Sequence, residues 1–458
     1  DMGIQEIQIH EPALVFDDAS LVPYFGLAYP AILPKRGGPR INMVAFMDDV
    51  GKNNYQWLCS IPEISMLSMD FTRGDSLGLV EKFGFPANKI LGVGLLDSRS
   101  VWKAQPDVVV PVLAKLSAVG VTAIRIQPSG SLHYLPWDLT NENKASLEHP
   151  AAPVLSFATQ KLDEIANVAK FAKGQAKEIG HEAAWKAFSQ TVGVNQNVKD
   201  RIRALTEDDF ARTESYEQRR PKQLKGLPIL PTTTIGSFPQ TKNIRKLRNQ
   251  LKNGSISVAQ YEAEIDKNIA FAIGMQEALG LDVFVHGESE RTDMVEFFAQ
   301  NMNGMLFTSN GWVQSFGSRC VRPPIFWSDI SRSQPMTIRE FKVAQAMTDK
   351  PVKGMLTGPV TILNWSFPRV DISRREQAYQ IAMAIRDEIT DLEAAGCAVV
   401  QVDEPALREG MPLRENEKEE YLQWAVDSFR LATAAAKDET QIHTHMCYCE
   451  FGDCMGAI

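Results

Sequence analysis

The segment with the most candidate ligands is "QIHTHMCYCEFGDCMGAI", Gln441 to Ile458. It holds two histidines and three cysteines, from a total of seven and six in the chain. Alternate residues of a strand share a face, so His443, His445, Cys447 and Cys449 can point the same way. An imidazole and a thiolate two residues apart suit Zn2+, which takes N and S ligands in tetrahedral geometry. A structural site needs about four protein ligands and a catalytic one about three, so such a pair needs donors from elsewhere. Ordinary strand residues, with the sulfurs packed as small hydrophobes, explain the pattern as well.

Five further segments carry polar groups where apolar runs end. In "VFVHGESERTDMVEFF" a strand is expected to stop at His286, Gly287 to turn the chain, and Glu288 and Glu290 to sit at the rim. Either glutamate could instead cap the next helix or pair with Arg291. Asp403 and Glu404 follow Ala398 to Val402 in the same way. Carboxylates held at two strand ends can jointly take an ammonium group. "PTTTIGSFPQT" places Gly236 and Ser237 after a run, where backbone N–H groups and a hydroxyl can cradle a carboxylate. "SFGSRCVRPPI" offers Arg319 for a polyanionic tail and "LTGPVTILNWSF" offers Trp365 for a flat heterocycle; a surface ion pair and a core aromatic are the plainer readings.

These positions need a scaffold that brings strand ends together. Short β-branched or apolar runs alternate with polar clusters and longer stretches of helical period, the pattern of strand-loop-helix units. The first series has runs at Ile7–Ile9, Ile41–Phe46, Ser65–Met69, Ile90–Leu95 and Thr122–Ile126, with helices over Val108–Val119 and Phe157–Ile179. A charged stretch, Thr206 to Gly226, reads as a solvated helix and linker. A second series follows at Pro228–Thr233, Asp282–Val285, Lys353–Leu356, Ala398–Val402 and Thr440–His443. "QIHEPAL" at Gln8 to Leu14 returns as "QVDEPAL" at Gln401 to Leu407, suggesting two copies of one unit. The expected fold is α/β, two (β/α)8 TIM-type barrels, with a doubly wound sheet as competitor. The domains are 1–205, the C-terminal part of an N-terminal barrel; 206–227, the linker; and 228–458, the N-terminal part of a second barrel. About five runs per series, against eight in a barrel, lead us to expect an internal fragment, the first copy lacking its start and the second its end.

Bulk properties narrow the chemistry. With 44% hydrophobic and 23% charged residues over 458 positions, the chain is expected to build large cores. A net charge of -8 argues against nucleic acid as a partner. No apolar run reaches the ~18 residues of a membrane span, and the start Asp1-Met2-Gly3-Ile4-Gln5 does not read as a signal peptide. The cytoplasm is the expected address, where cysteines beside histidines read first as metal or redox ligands.

Together the segments resemble the cobalamin-independent methionine synthase family, and the likeness extends through "HEPAL", "DFTRG" (Asp70 to Gly74) and "IQPSGSL" (Ile126 to Leu132). The resemblance implies two barrels derived by duplication and transfer of a methyl group from 5-methyltetrahydropteroyltri-L-glutamate to homocysteine, with Zn2+ and without cobalamin. It implies that Ile235, Gly236 and Ser237 hold the homocysteine carboxylate, and that Glu288 and Asp403 hold its amino group. Arg319, Cys320, Trp365 and Glu409 become folate contacts, and His445 and Cys447 zinc ligands. The family's other two zinc ligands, a Glu and a Cys, and its proton-donor His have no match up to Ile458. No catalytic acid is therefore assigned, and the chain by itself is expected to be inactive. Its expected partners are homocysteine and 5-methyltetrahydrofolate only, and a monomer is expected. A zinc thiol methyltransferase with another acceptor, or a ligand-binding partial fold without turnover, are the competing readings.

Overall fold

The strands of the first series hydrogen-bond to one another in the order in which they occur. In the computed structural model, β1 (Glu6–His10), β2 (Arg40–Ala45), β3 (Ile64–Asp70), β4 (Ile90–Leu96) and β5 (Ile124–Pro128) form one parallel sheet in the order β1-β2-β3-β4-β5. The structure describes residues 3–16, 20, 22–33, 38–315 and 317–458. Asp1 and Met2 of the polar start and Phe316 of the arginine loop lie outside them. Parallel neighbours need a crossover, supplied by helices α1 (Val22–Ile32), α2 (Gly51–Ser60), α3 (Ser76–Phe83) and α4 (Pro106–Ala118). Local chemistry sets their ends: the Asp75 side chain accepts from Gly78 N, Gly84 ends α3 at φ 68, and Pro106 opens α4. The expected helix over Phe157–Ile179 is shorter, α5 (Ala158–Ala172).

These residues belong to the first of two compact units, Asp1–Val192 with Thr308–Arg322; the second is Gly193–Phe307 with Pro323–Ile458. In the first, alternate sheet residues such as Met43, Leu67, Leu91 and Val93 share a core with Val109 and Leu113 of α4. The opposite face is polar: Ser68 donates to Asn42 at 2.7 Å and to Gln127 at 3.3 Å, and Asn42 donates to Gln8 at 3.5 Å. Arg125 on β5 pairs with Glu6 on β1 at 2.6 and 3.1 Å. In a flat sheet these strands would stand about 19 Å apart. A bidentate pair between them requires the sheet to curl around its polar face.

In the second unit β8 (Lys353–Thr357), β9 (Val399–Asp403) and β10 (Gln441–His443) form a parallel sheet, beside an antiparallel pair β6 (Met302–Leu306) and β7 (Ile325–Arg332). The helices used below are α6 (Val258–Ala278), α7 (Met294–Gln300), α8 (Pro359–Asn364), α9 (Arg374–Ala394) and α10 (Glu415–Thr433). Both sheets are parallel and interleaved with helices, so the fold is α/β. Two expected strands are absent. Pro228–Thr233 pairs with no strand; Pro228 and Pro231 lack an N–H, and Ile229 and Leu230 are 90% and 86% exposed. Asp282–Val285 is reduced to one bridge, Phe284 with Val352, plus bonds from Asp282 N and Val283 N to the Thr232 carbonyl at 3.0 and 3.1 Å. The charged stretch 206–226 forms three short helical turns, Glu207–Phe210, Tyr216–Arg219 and Arg220–Lys222. Among the described residues no helix is long and apolar enough to cross a membrane.

Candidate active site

The ends of the apolar runs in the second unit converge on one polar cluster. After Phe284 the chain turns through Gly287 (φ 89) and Glu288 (φ 56), the latter in a region that costs a non-glycine residue energy. The turn brings the Glu288 carboxylate against Gly236, where an added Cβ would collide with Oε1 and stand 2.6 Å from the Met355 methyl. Only glycine leaves the carboxylate that position. Ile235 and Ser237 are exposed, and among the described residues the N–H groups of 235 to 237 make no hydrogen bond. They remain available to an anion.

Asp403 closes the cluster from the end of β9. Gln401, two residues earlier on the same face, donates from Nε2 to Asp403 Oδ1 and to the Ile235 carbonyl, both at 2.8 Å. Lys353 on β8 donates to Gln401 Oε1 at 2.7 Å and to the Thr234 carbonyl at 2.9 Å. Burial pushes the Asp403 carboxyl up to about 7; the Gln401 bond opposes the rise, and the Glu288 charge adds to it. Burial pulls Lys353 down to about 8, against the charges of Asp403 and Glu288. The result is a desolvated site with two carboxylates and one ammonium, a net negative pocket suited to a cation.

The neighbouring acids do other work. Glu290 bonds His286 at 3.0 Å and Arg291 at 2.8 Å. Burial opposes its ionisation, but those two partners outweigh it and hold its pKa well below the carboxylate range. Asp293, not a glutamate, caps α7 through Val295 N and Glu296 N. Glu404 is fully buried and accepts from Val360 N, Thr361 N and Thr361 Oγ1 at 3.0, 2.8 and 2.7 Å, so it caps α8. Of the two adjacent acids after β9, only Asp403 faces the cluster.

The alternation expected over His443 to Cys449 stops at His443, the end of β10, and Tyr448 at φ 57 reverses the chain. His443 therefore pairs with Gln441 at 2.7 Å, and Cys449 lies 3.3 Å from Cys454. His445 Nε2 and Cys447 Sγ meet at 2.8 Å, both partly exposed. Burial raises the Cys447 thiol pKa, a backbone bond opposes this, and Asp403 adds to it, tying the His-Cys pair to the carboxylate cluster. Imidazole and thiol are donors that zinc accepts; here they hydrogen-bond each other directly, closer than the roughly 3.5 Å that separates two corners of a zinc tetrahedron, so the pair fits the metal by donor type and would have to part to hold it. Among the described residues no group of three or more such side chains is assembled.

Trp365, just after α8, donates from its indole to Glu409 at 3.1 Å, so two expected folate contacts touch. Arg319 and Cys320 fall in the first unit, in the loop Thr308–Arg322, where Cys320 pairs with Gln314. Lys353 and Gln401 were not singled out from the sequence. A lysine inside an apolar run at an inward-facing position was the available signal.

Comparison with known proteins bears on both units. The model of the cobalamin-independent synthase catalytic domain matches residues 230–458, and that of the cobalamin-independent synthase N-terminal domain matches 1–120. A 5-methyltetrahydropteroyltriglutamate–homocysteine methyltransferase of Trichodesmium erythraeum is 52% identical over 461 residues, covering 100% of this chain and 61% of its own. One from a Synechococcus strain is 54% identical over 456 residues, covering 99% of this chain and 59% of its own. The chain thus spans about three-fifths of the length of these relatives. A solved B12-independent methionine synthase from Shewanella, in complex with selenomethionine, gives a TM-score of 0.40 at 23% identity over 48% of this chain and 62% of that one, too distant to bear on the fold.

Proposed function

The chain belongs to the cobalamin-independent synthase family, and from that premise we propose that it carries the amino-acid side of a site that moves a methyl group from 5-methyltetrahydropteroyltri-L-glutamate to homocysteine. The observation that carries the reading is the meeting of Glu288, Asp403 and the Ile235-Gly236-Ser237 turn. Two carboxylates beside three unbonded N–H groups match the ammonium and carboxylate of an amino acid. Glu288 and Asp403 hold the amino group; the N–H groups and the Ser237 hydroxyl hold the carboxylate. That grip fixes the rest of the substrate, and fixed geometry is worth a large share of a methyl-transfer barrier.

His445 and Cys447 would hold Zn2+, and when bound the ion supplies deprotonation of a coordinated thiol near neutral pH. Trp365 and Glu409 serve the pterin side, and Arg319 and Cys320 the folate, by family likeness alone. We read the two units as parts of two (β/α)8 barrels, supported by the curl that the Glu6–Arg125 pair demands and by the repeated "Q-x-x-EPAL" segment. In this reading residues 1–205, 206–227 and 228–458 are first barrel, linker and catalytic barrel. Isothermal titration tests the site: homocysteine should bind at least about tenfold more tightly than γ-mercaptobutyrate, which lacks the amino group. Equal affinities would overturn the assignment.

A further inference from the structure

Lys353 is 1% exposed on a strand of otherwise apolar character. An ammonium can only donate, so each acceptor it meets must be an oxygen. Its bond to Gln401 at 2.7 Å therefore decides which way the glutamine amide lies. With Oε1 turned to Lys353, the NH2 group points to Asp403 Oδ1 and the Ile235 carbonyl, each at 2.8 Å. The flipped amide would set donor against donor at Lys353 and acceptor against acceptor at the other two contacts. One lysine thus fixes an amide that in turn fixes a carboxylate and a main-chain carbonyl.

The first unit provides an internal comparison. In "QIHEPAL" Gln8 reaches the side chain two residues on, His10, at 2.5 Å, while its Oε1 accepts from the neutral amide of Asn42 at 3.5 Å. The glutamine-to-strand-end contact recurs, but the ammonium and the carboxylate are both missing. The charged version occurs where the amino-acid cradle occurs.

We propose that Lys353 and Gln401 are positioning residues for the substrate amino group: they tie down one oxygen of Asp403 and the Ile235 carbonyl so that the other Asp403 oxygen is presented to the substrate ammonium. This rests on the homocysteine reading of the site. Truncating either residue leaves the Glu288 carboxylate in place but frees the Asp403 oxygen and an anchor of the 234–237 turn, so the substrate amino group, which needs the aligned Asp403 oxygen, loses more than the substrate carboxylate or thiol.

The test is titration calorimetry of the chain and its Gln401→Leu, Lys353→Met and Lys353→Arg variants with homocysteine and γ-mercaptobutyrate. The preference for homocysteine over γ-mercaptobutyrate should fall about tenfold in Gln401→Leu and Lys353→Met, and Lys353→Arg should restore most of it. An unchanged preference in the two truncated variants overturns the proposal. A wild-type chain with no preference, or no binding, overturns the homocysteine reading instead. Amide hydrogen exchange in the wild-type protein keeps the amide lock testable if a variant does not fold. The Gln401 side-chain protons should exchange at least about tenfold more slowly than those of an exposed glutamine, and free exchange refutes the lock.

Discussion

Asp403 is the residue whose charge state should govern binding. Its carboxyl sits at about 7 because burial outweighs the help from Gln401. Below that pH it takes up a proton and loses the charge that a ligand ammonium needs. Homocysteine affinity should therefore weaken as pH falls through about 7, approaching tenfold per unit, while the ligand amine stays protonated throughout. Asp403→Asn should bind about tenfold or more weakly and show a flat profile over the same range. Titrations at several pH values check this, and tighter binding at lower pH would remove Asp403 as the acceptor. The placement of Glu288 and Asp403 in one cluster was legible because a carboxylate at the end of an apolar run lies at a strand end. Their position after an apolar run did not separate Asp403 from Glu404, since which one faces the ligand depends on where α8 begins; only the family resemblance picked out Asp403. Lys353 and Gln401 escaped notice because their partners lie on other strands.

Among the elements, the start of α8 is capped by a side chain from the end of β9, that of Glu404. Pro359 at the helix start has no N–H to satisfy, and Glu404 receives the next two N–H groups and the Thr361 hydroxyl. Burial pushes its carboxyl up to about 7 from an ordinary 4.5. The folded state therefore holds this proton more tightly than the unfolded state. Its contribution to stability is fully present below pH 4.5 and is lost as pH rises through about 7. Glu404→Gln, which cannot ionise, should gain on the wild type by up to about 3 kcal/mol between those limits. Denaturant melts across that range measure it; parallel stability curves would sink the idea. The same scale shows why some elements were readable. The five strands of the first unit alternate with helices, and their bounds shift by only a residue or two. Pro228–Thr233 misled because apolar content resembled a strand while two prolines removed its donors. His443 to Cys449 misled because alternation was extended past a residue with positive φ.

For the whole molecule, each unit has a polar strand-end face and an apolar core, and the two share a recognisable segment. The repeated segment was legible from "QIHEPAL" and "QVDEPAL"; the polar layer of Gln8, Asn42, Ser68 and Gln127 was not, because its hydrogen bonds exist only once the strands pair. The proposed zinc site is weighed by its number of donors. His445 and Cys447 supply two donors, and no group of three is assembled among the described residues. Zinc held by complete protein shells is worth about 10–16 kcal/mol in apparent terms, whereas two donors completed by water should fall short of about 8 kcal/mol, a Kd weaker than about 1 μM. We therefore expect the 458-residue chain to lose zinc on dialysis against a modest chelator and to show little methyl transfer. A protein of the relatives' full length should retain one zinc per chain and turn over. Cys447→Ser should abolish what zinc the chain holds while leaving homocysteine's advantage over γ-mercaptobutyrate largely intact, since that advantage rests on Glu288 and Asp403. Full activity and tight zinc in the 458-residue chain would show that its own residues complete the centre.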